Sequence, residues 1–383
     1  MSDKSLAPLV VTICHESPWR LSGGGVETKA KLALLSSAGM RSVPVVWQWS
    51  HEKPYSGDST ILMRKRTAWE APLAHVLKPS PIAVRVVAID DVRKLAARIQ
   101  DGSSPAARRI VVCDGLHGID LAHALAGALN ARLVYRSHNI EAHHRQIQIW
   151  LGSRFSPVNL LNALKFSRWD KWAREVADIT AEICEEDIAW EKQWMAGKRV
   201  VVPPIIPKAG DIDKLSYQCD IAFVGSLDNA INVEGLRFLS AELMRNYPHL
   251  RLGVFGAASE RSIAYWRSRL PDCLFIPNFN NFNDIIELAP VVVNPVLRSS
   301  GVNIKTYEAL ANGALVVATK AGQRGCKQAR AIGQLFDLGS TDLNEIVARA
   351  KRDGIQGVRA RRKRFQDTIA GPAEAAYLSL FNE

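Results

Sequence analysis

The chain has 383 residues, 47% of them hydrophobic and 23% charged, with 49 Lys and Arg against 38 Asp and Glu. That balance excludes a disordered or fibrous protein, and the length suits two domains of roughly 150 to 200 residues better than one core. The formal net charge of +11 favours anionic partners, without choosing among nucleic acid, anionic lipid and phosphorylated ligands.

No apolar run approaches the roughly 20 residues of a membrane-crossing helix. The opening "MSDKSLAPLVVTIC" lacks a cleavable signal pattern. Cys14, Cys113, Cys184, Cys219, Cys273 and Cys326 form no CxxC or zinc-type spacing. Several of them end or begin apolar runs, where a thiol acts as a small hydrophobe. A reduced, cytoplasmic protein is expected.

In chain order, short β-rich runs alternate with helical patterns. The first half gives "LVVTIC" (9–14), "SVPVVWQW" (42–49), "AVRVVAI" (83–89), "RIVVC" (109–113), "RLVYR" (132–136) and "RVVVP" (199–203). Segments with helical spacing, such as "VETKAKLALLSSAG" and "DLAHALAGALNA", fall between them. Strands apolar on both faces suit a parallel sheet covered by helices. The proline-rich stretch "PPIIPKAGDIDKLSYQ" (203–218) breaks this rhythm and reads as a linker. Alternation then restarts with "DIAFVG" (220–225), "RLGVFG" (251–256), "CLFIP" (273–277), "PVVVNPV" (290–296) and "ALVVAT" (314–319).

The expected fold class is therefore α/β, with two doubly wound, Rossmann-like domains facing across a cleft. Residues 1–204 form the first, 205–218 the linker, and 219–365 the second. Residues 366–383 form a terminal helix expected to pack back on the first domain.

Ligands of such sheets sit beyond the carboxyl ends of the strands, so the loops there carry the chemistry. After the first strand, Gly23, Gly24 and Gly25 open a helix that also bears Glu27. Glycines let backbone N–H groups approach a ligand, and a helix N-terminus favours an anion. After "RIVVC", Asp114 is expected to cap the next helix, while His117 is a candidate ligand contact. After "RLVYR", His138 enters the cleft, followed by Glu141, His143 and His144. An imidazole there can donate to a substrate oxygen or phosphate. The HxxxxHH spacing is not that of a zinc site, so no metal is expected.

In the second domain, Gly225 and Ser226 make a tight turn suited to phosphate. The stretch "RSSGVNIKTYEALANG" (298–313) puts the N–H groups of Gly301, Val302 and Asn303 at a helix start, beside Lys305. Together these suit a diphosphate. Glu308, three residues after Lys305, shares its face. A surface ion pair would account for those two. Between buried strands, however, both groups need specific partners, and a ribose diol would satisfy the acid.

"FVGSLDNAINVEGLRFL" followed by "GVNIKTYEALANGALVVATKAGQRG" resembles the nucleotide-sugar half of group 1 (family 4) glycosyltransferases, bacterial exopolysaccharide-type branch. "SGGGVETKAKLALLSSAGM" resembles that family's Gly-rich first loop, and "VYRSHNIEAHH" its strand-then-histidine element. The resemblance implies a GT-B fold and metal-independent, retaining transfer. By it, Glu308 holds the ribose, the Gly301 loop and Lys305 hold the diphosphate, and His138 assists catalysis at the donor sugar. Gly24 and Gly25 approach the phosphate or acceptor. Two departures stand out. Ser300 occupies the place of a second acid eight residues before Glu308, and the usual Arg and Lys after the "FVG" turn are missing. Arg298 and Lys305 are the candidate replacements.

Residues 153–176, "SRFSPVNLLNALKFSRWDKWAREV", mix basic and bulky apolar side chains. They suit either an interfacial helix on anionic lipid or a packed helix with snorkelling basic side chains. "RAKRDGIQGVRARRKR" (349–364) reads as a solvated helical face, with nucleic acid a distant partner. The expected partners are a nucleotide-sugar donor and a glycan or lipid-linked acceptor, in bacterial surface polysaccharide synthesis, on the cytoplasmic side of the membrane. Alternatives are a non-catalytic GT-B subunit binding the nucleotide sugar or glycan, and a sugar-nucleotide epimerase.

Overall fold

The computed structural model describes residues 7–14, 23–48, 61–64, 89–101, 107–151, 157–190, 197–277, 279 and 281–382. The strand expected at 83–89 lies outside these, apart from Ile89, which begins a helix. The chain divides into two compact units. One comprises Met1–Ile149, Arg154–Pro207 and Ala373–Glu383; the other comprises Trp150–Ser153 and Lys208–Pro372.

The first unit holds strands β1 (Leu9–Cys14), β2 (Arg41–Gln48), β3 (Ile61–Arg64), β4 (Arg109–Asp114), β5 (Arg132–Arg136), β6 (Ile179–Glu182) and β7 (Lys198–Val201). They form one parallel sheet in the order β3-β2-β1-β4-β5-β6-β7. Its helices are α1 (Gly23–Ser37), α2 (Ile89–Asp101), α3 (Ile119–Leu129), α4 (Glu141–Trp150), α5 (Pro157–Val176) and α6 (Glu185–Trp190). Every residue of β1 is buried because both sheet faces are covered. Leu9, Val11 and Ile13 join a core with α2, α3 and α5, through Val92, Leu125 and Phe166. Val10, Ile110 and Val134 face the other layer, which holds Ala30 and Leu35 of α1 together with Tyr377 and Phe381 near the C-terminus.

The second unit holds β8 (Ile221–Val224), β9 (Leu252–Phe255), β10 (Leu274–Ile276), β11 (Val291–Asn294), β12 (Leu315–Ala318) and β13 (Leu335–Asp337). They also form a parallel sheet, ordered β10-β9-β8-β11-β12-β13. This is the dinucleotide-binding order 3-2-1-4-5-6 counted from its own first strand. Its helices are α7 (Ala230–Asn246), α8 (Glu260–Arg269), α9 (Phe282–Leu288), α10 (Ile304–Ala311), α11 (Lys327–Ala331) and α12 (Leu343–Phe365). The last helix, α13 (Gly371–Ser379), contributes Ala373 and Tyr377 to the first unit's core.

Three expectations change at this level. Asp114 does not cap a helix. The short turn at Leu116–Gly118 and helix α3 begin at Gly115 and Gly118, with no side-chain cap. The stretch 349–364 is not a fully solvated face, since Val358 and Arg361 are buried and Arg361 donates to the carbonyl of Gly313. In 153–176, Arg174 is buried against Asp170 and Glu182 and so faces no surface.

Candidate functional site

In the first unit the register brings Cys14, Asp114 and Arg136 side by side at the carboxyl ends of β1, β4 and β5. Helix α1 lies over this edge and supplies Glu27, Thr28 and Lys31, all buried. Asp114 accepts from Thr28 Oγ1 at 3.0 Å and from the Lys31 ammonium. Arg136 donates to Glu27 Oε1 at 3.0 Å and to the backbone carbonyls of Val202 and Pro203. His138, two residues beyond β5 and 16% exposed, meets this group from above. Its Nε2 lies 2.7 Å from Asp114 Oδ1 and its Nδ1 3.3 Å from Glu27 Oε2.

The charges dictate the protonation states. Burial opposes ionisation of Glu27 and Asp114, yet Lys31 and the other cations beside them hold both carboxyls well below their ordinary values. Burial likewise opposes a charged His138, but Asp114 and Glu27 outweigh it and raise the imidazole above its ordinary 6.5. The two carboxylates thus favour the imidazolium form of the ring. Glu27, fully buried in this way, serves as an internal partner of His138 and Arg136. Asp114 has the same role, and sequence reasoning missed it by taking it for a helix cap.

The other acceptor-side candidates separate from this cluster. Gly24 and Gly25 begin α1, half-buried and buried respectively. His117 packs edge-on against Phe166, with its Nε2 3.5 Å from Arg145. Glu141 begins α4 with its carboxylate 3.6 Å from the same arginine, and burial raises its pKa. His117, Glu141 and Arg145 therefore form a second polar group, centred on Arg145. Asp170 of α5 accepts from the N–H of Ala142 and so caps α4 from a neighbouring helix.

In the second unit the candidates lie at the carboxyl ends of β8 and β11. Gly225 ends β8 where a side chain cannot fit: a Cβ there would come within 2.8 Å of the Asn232 amide. Ser226 follows, its carbonyl accepting from Asn232 Nδ2 at 3.1 Å. Asn232 Oδ1 in turn accepts from Lys305 Nζ at 2.9 Å, joining the turn after β8 to α10. Helix α10 starts later than the sequence suggested, at Ile304, so Gly301 and Val302 belong to the preceding loop. Asn303, at its N-cap, points its amide to Ser299 Oγ and the Ala321 carbonyl instead of capping the helix. The first-turn N–H groups are left without a side-chain cap, an arrangement that suits an anion.

Lys305 and Glu308 share one face of this helix, as expected from their spacing. Burial alone pulls Lys305 down to about 7 and pushes Glu308 up to about 7. Neither has an oppositely charged partner among the described residues. Arg298 differs: its Nε donates to Glu234 Oε1 at 3.3 Å, so its charge is already matched. Ser300 is buried in the loop. Gly313, left-handed at φ 82°, ends α10, with its N–H bonded to the Leu310 carbonyl.

Residues 218–348 match the family model described as glycosyl transferases group 1. Comparison with curated protein sequences yields no match. Solved structures do match over almost the whole chain. Sucrose-phosphate synthase from Thermosynechococcus elongatus aligns at TM-score 0.60 and 13% identity, covering 98% of this chain and 95% of its own. Anabaena HepE in complex with UDP and glucose aligns at 0.61 and 13%, covering 98% and 100%. A UDP-forming trehalose-phosphate synthase from Burkholderia xenovorans, in complex with glucose-6-phosphate, aligns at 0.58 and 11%, covering 98% and 99%. The second domain thus resembles the group 1 glycosyl transferases, and the whole chain shares the two-domain GT-B fold of these solved structures.

Proposed function

We propose that the chain is a retaining glycosyltransferase that takes a sugar from a UDP-sugar and passes it to a glycan or lipid-linked acceptor of a bacterial surface polysaccharide. The observation that carries this reading is the state of α10. A lysine and a glutamate, each desolvated and without an opposite charge among the described residues, stand on one face beside an uncapped helix start. A diphosphate answers the first and a ribose diol the second. HepE, with the same fold, has been solved with UDP and with UDP-glucose, which favours uridine as the base.

In the transfer, the bond from the anomeric carbon to the diphosphate oxygen breaks, and its electron pair leaves with the diphosphate. The acceptor hydroxyl forms the new bond, and its proton goes to the departing phosphate oxygen. Lys305 and the first-turn N–H groups of α10 stabilise the leaving charge without a metal. The His138 imidazolium adds a positive charge on the acceptor-side unit.

The test is UDP binding by calorimetry. Glu308→Gln is expected to weaken UDP by about 1.5–3 kcal/mol, roughly 10- to 150-fold, since a charged acceptor for two hydroxyls is lost. Equal affinity of wild type and variant for UDP and for every other nucleoside diphosphate would sink the assignment.

A binding-only reading has one observation in its favour: both ring nitrogens of His138 already face carboxylates. Steady release of UDP from a UDP-sugar, abolished by His138→Ala, would exclude it.

For the acceptor side, Leu160 and Leu164 are exposed on α5, at 55% and 61%, on one stripe with Arg168 and Lys171. This favours contact with anionic lipid near a lipid-linked acceptor. Binding to phosphatidylglycerol vesicles, lost in a Leu160→Ser, Leu164→Ser variant, is the expected result. Equal binding to neutral vesicles would count against it.

A further inference from the structure

Two cations follow β11, Arg298 in the loop and Lys305 on α10, and they are held differently. Arg298 is matched by the Glu234 carboxylate. Lys305 is held by the neutral oxygen of Asn232, and among the described residues it has no carboxylate within ion-pair distance. Asn232 also donates to the Ser226 carbonyl. It therefore ties the β8 turn to α10 through both ends of one amide. The turn is shaped for it. Any side chain at Gly225 would collide with this amide, and Gly256 backs the turn so closely that its own Cβ would come within 2.5 Å of the Gly225 carbonyl oxygen. The Phe223 ring, centred 5.4 Å from Lys305 Nζ, closes the pocket around the ammonium with an aromatic face.

We propose that Asn232 is a positioning residue of the phosphate site: it aims the Lys305 ammonium while leaving its charge unspent until a diphosphate arrives. The idea rests on the donor reading above and deepens it. A carboxylate in the same place would hold the lysine as firmly, but it would neutralise the charge and repel the phosphate. An amide does the first without the second. The missing Arg and Lys after the β8 turn then have a counterpart: one lysine, delivered from α10 and aimed by an asparagine from α7.

Three full-length variants test this. Asn232→Asp keeps the shape and the acceptor for Lys305, adds the charge and loses the donor to the Ser226 carbonyl; Asn232→Leu keeps the volume and removes both hydrogen bonds. Lys305→Met removes the cation itself. Calorimetry with UDP and with uridine is the readout. Asn232→Asp is expected to weaken UDP by about 30- to 100-fold, close to Lys305→Met, while uridine affinity stays within about twofold. Asn232→Leu is expected to fall between, at about 3- to 10-fold for UDP. If the Asp and Leu variants lose UDP equally, or UDP and uridine weaken together, Asn232 only fills space and the proposal fails.

If wild type binds no UDP, the donor reading fails first, and a second measurement still judges Asn232. NMR titration of the Lys305 side chain in the ligand-free protein should show its pKa rise by at least one unit in Asn232→Asp. No rise would overturn the contact on which the proposal stands.

Discussion

In the first unit two cationic side chains, Lys31 and Arg136, and two anionic ones, Glu27 and Asp114, meet below His138, and each finds its counterpart inside the fold. In the second, Lys305 and Glu308 lie three residues apart on one helix, and among the described residues neither has an opposite charge to answer it. The first arrangement fixes a ring in place and sets its charge before any substrate comes. The second leaves a desolvation cost standing, which a ligand can relieve. The same sheet type thus supports a finished site and a waiting one.

The comparison breaks most visibly through stability. Asp114→Ala removes the carboxylate shared by Lys31, Thr28 and His138 and leaves buried cations behind. Stranding a buried charge costs about 3–5 kcal/mol, so a large drop in denaturation midpoint is expected. Glu308→Gln removes an ionisable group that burial already penalises, so stability should hold or rise slightly while UDP binding falls. If urea denaturation shows the two variants equally destabilised, the distinction between finished and waiting sites is wrong.

The two units should also answer pH differently. Between about pH 4.5 and 7 the unfolded chain has lost the Glu308 proton that the folded chain keeps, so stability falls as pH rises. From about 7 to 10.5 the folded chain has lost the Lys305 proton that the unfolded chain keeps, so stability recovers as pH rises. These groups together predict a trough near pH 7 for the ligand-free second unit. Glu308→Gln should remove its acid limb, and Lys305→Met its alkaline limb. In the first unit, Glu27 and Asp114 have depressed values, so their stabilisation is lost only as pH falls below the ordinary carboxylate range. His138 has a raised value, so its contribution is full below about 6.5 and is lost as pH rises through its folded pKa. Thermal shift scans of wild type and both variants from pH 4 to 10 check this; a profile without a trough that either variant alters would refute it.

Much of the waiting site was legible in the sequence and little of the finished one. Lys305 and Glu308 could be read because their spacing is helical and their neighbours are apolar strands, a local pattern. The cluster under His138 is assembled across α1, β4 and β5, from residues 27 to 138, and only strand register brings it together. Local logic therefore made Asp114 a helix cap. Strand β6 escaped for a related reason. Its "ITAE" is short and carries Glu182 into the core, where Arg174 and Arg199 pair with it. Asn232 was visible only as part of a segment lacking the expected Arg and Lys; its contact with Lys305 spans 73 positions.

The smallest expected effect concerns how α10 is held at its far end. Eight residues make a marginal helix on their own, so tertiary contacts must keep it formed. Two arginines of α12 supply some of these: Arg361 donates to the Gly313 carbonyl at 2.7 Å and Arg362 to the Asn312 carbonyl at 2.9 Å. Arg362 also reaches the Gly210 carbonyl and Asn283 Oδ1, both at 2.6 Å. Arg362→Ala should therefore cost about 1–2 kcal/mol, the scale of hydrogen bonds from a half-buried charged donor. Because the Lys305 end of α10 stays tied to Asn232, UDP affinity should fall by no more than about fivefold, and the His138 titration in the first unit should not move. A loss of UDP binding as large as that of Lys305→Met would mean that α10 is not preset by Asn232. The waiting site would then be assembled from its C-terminal end.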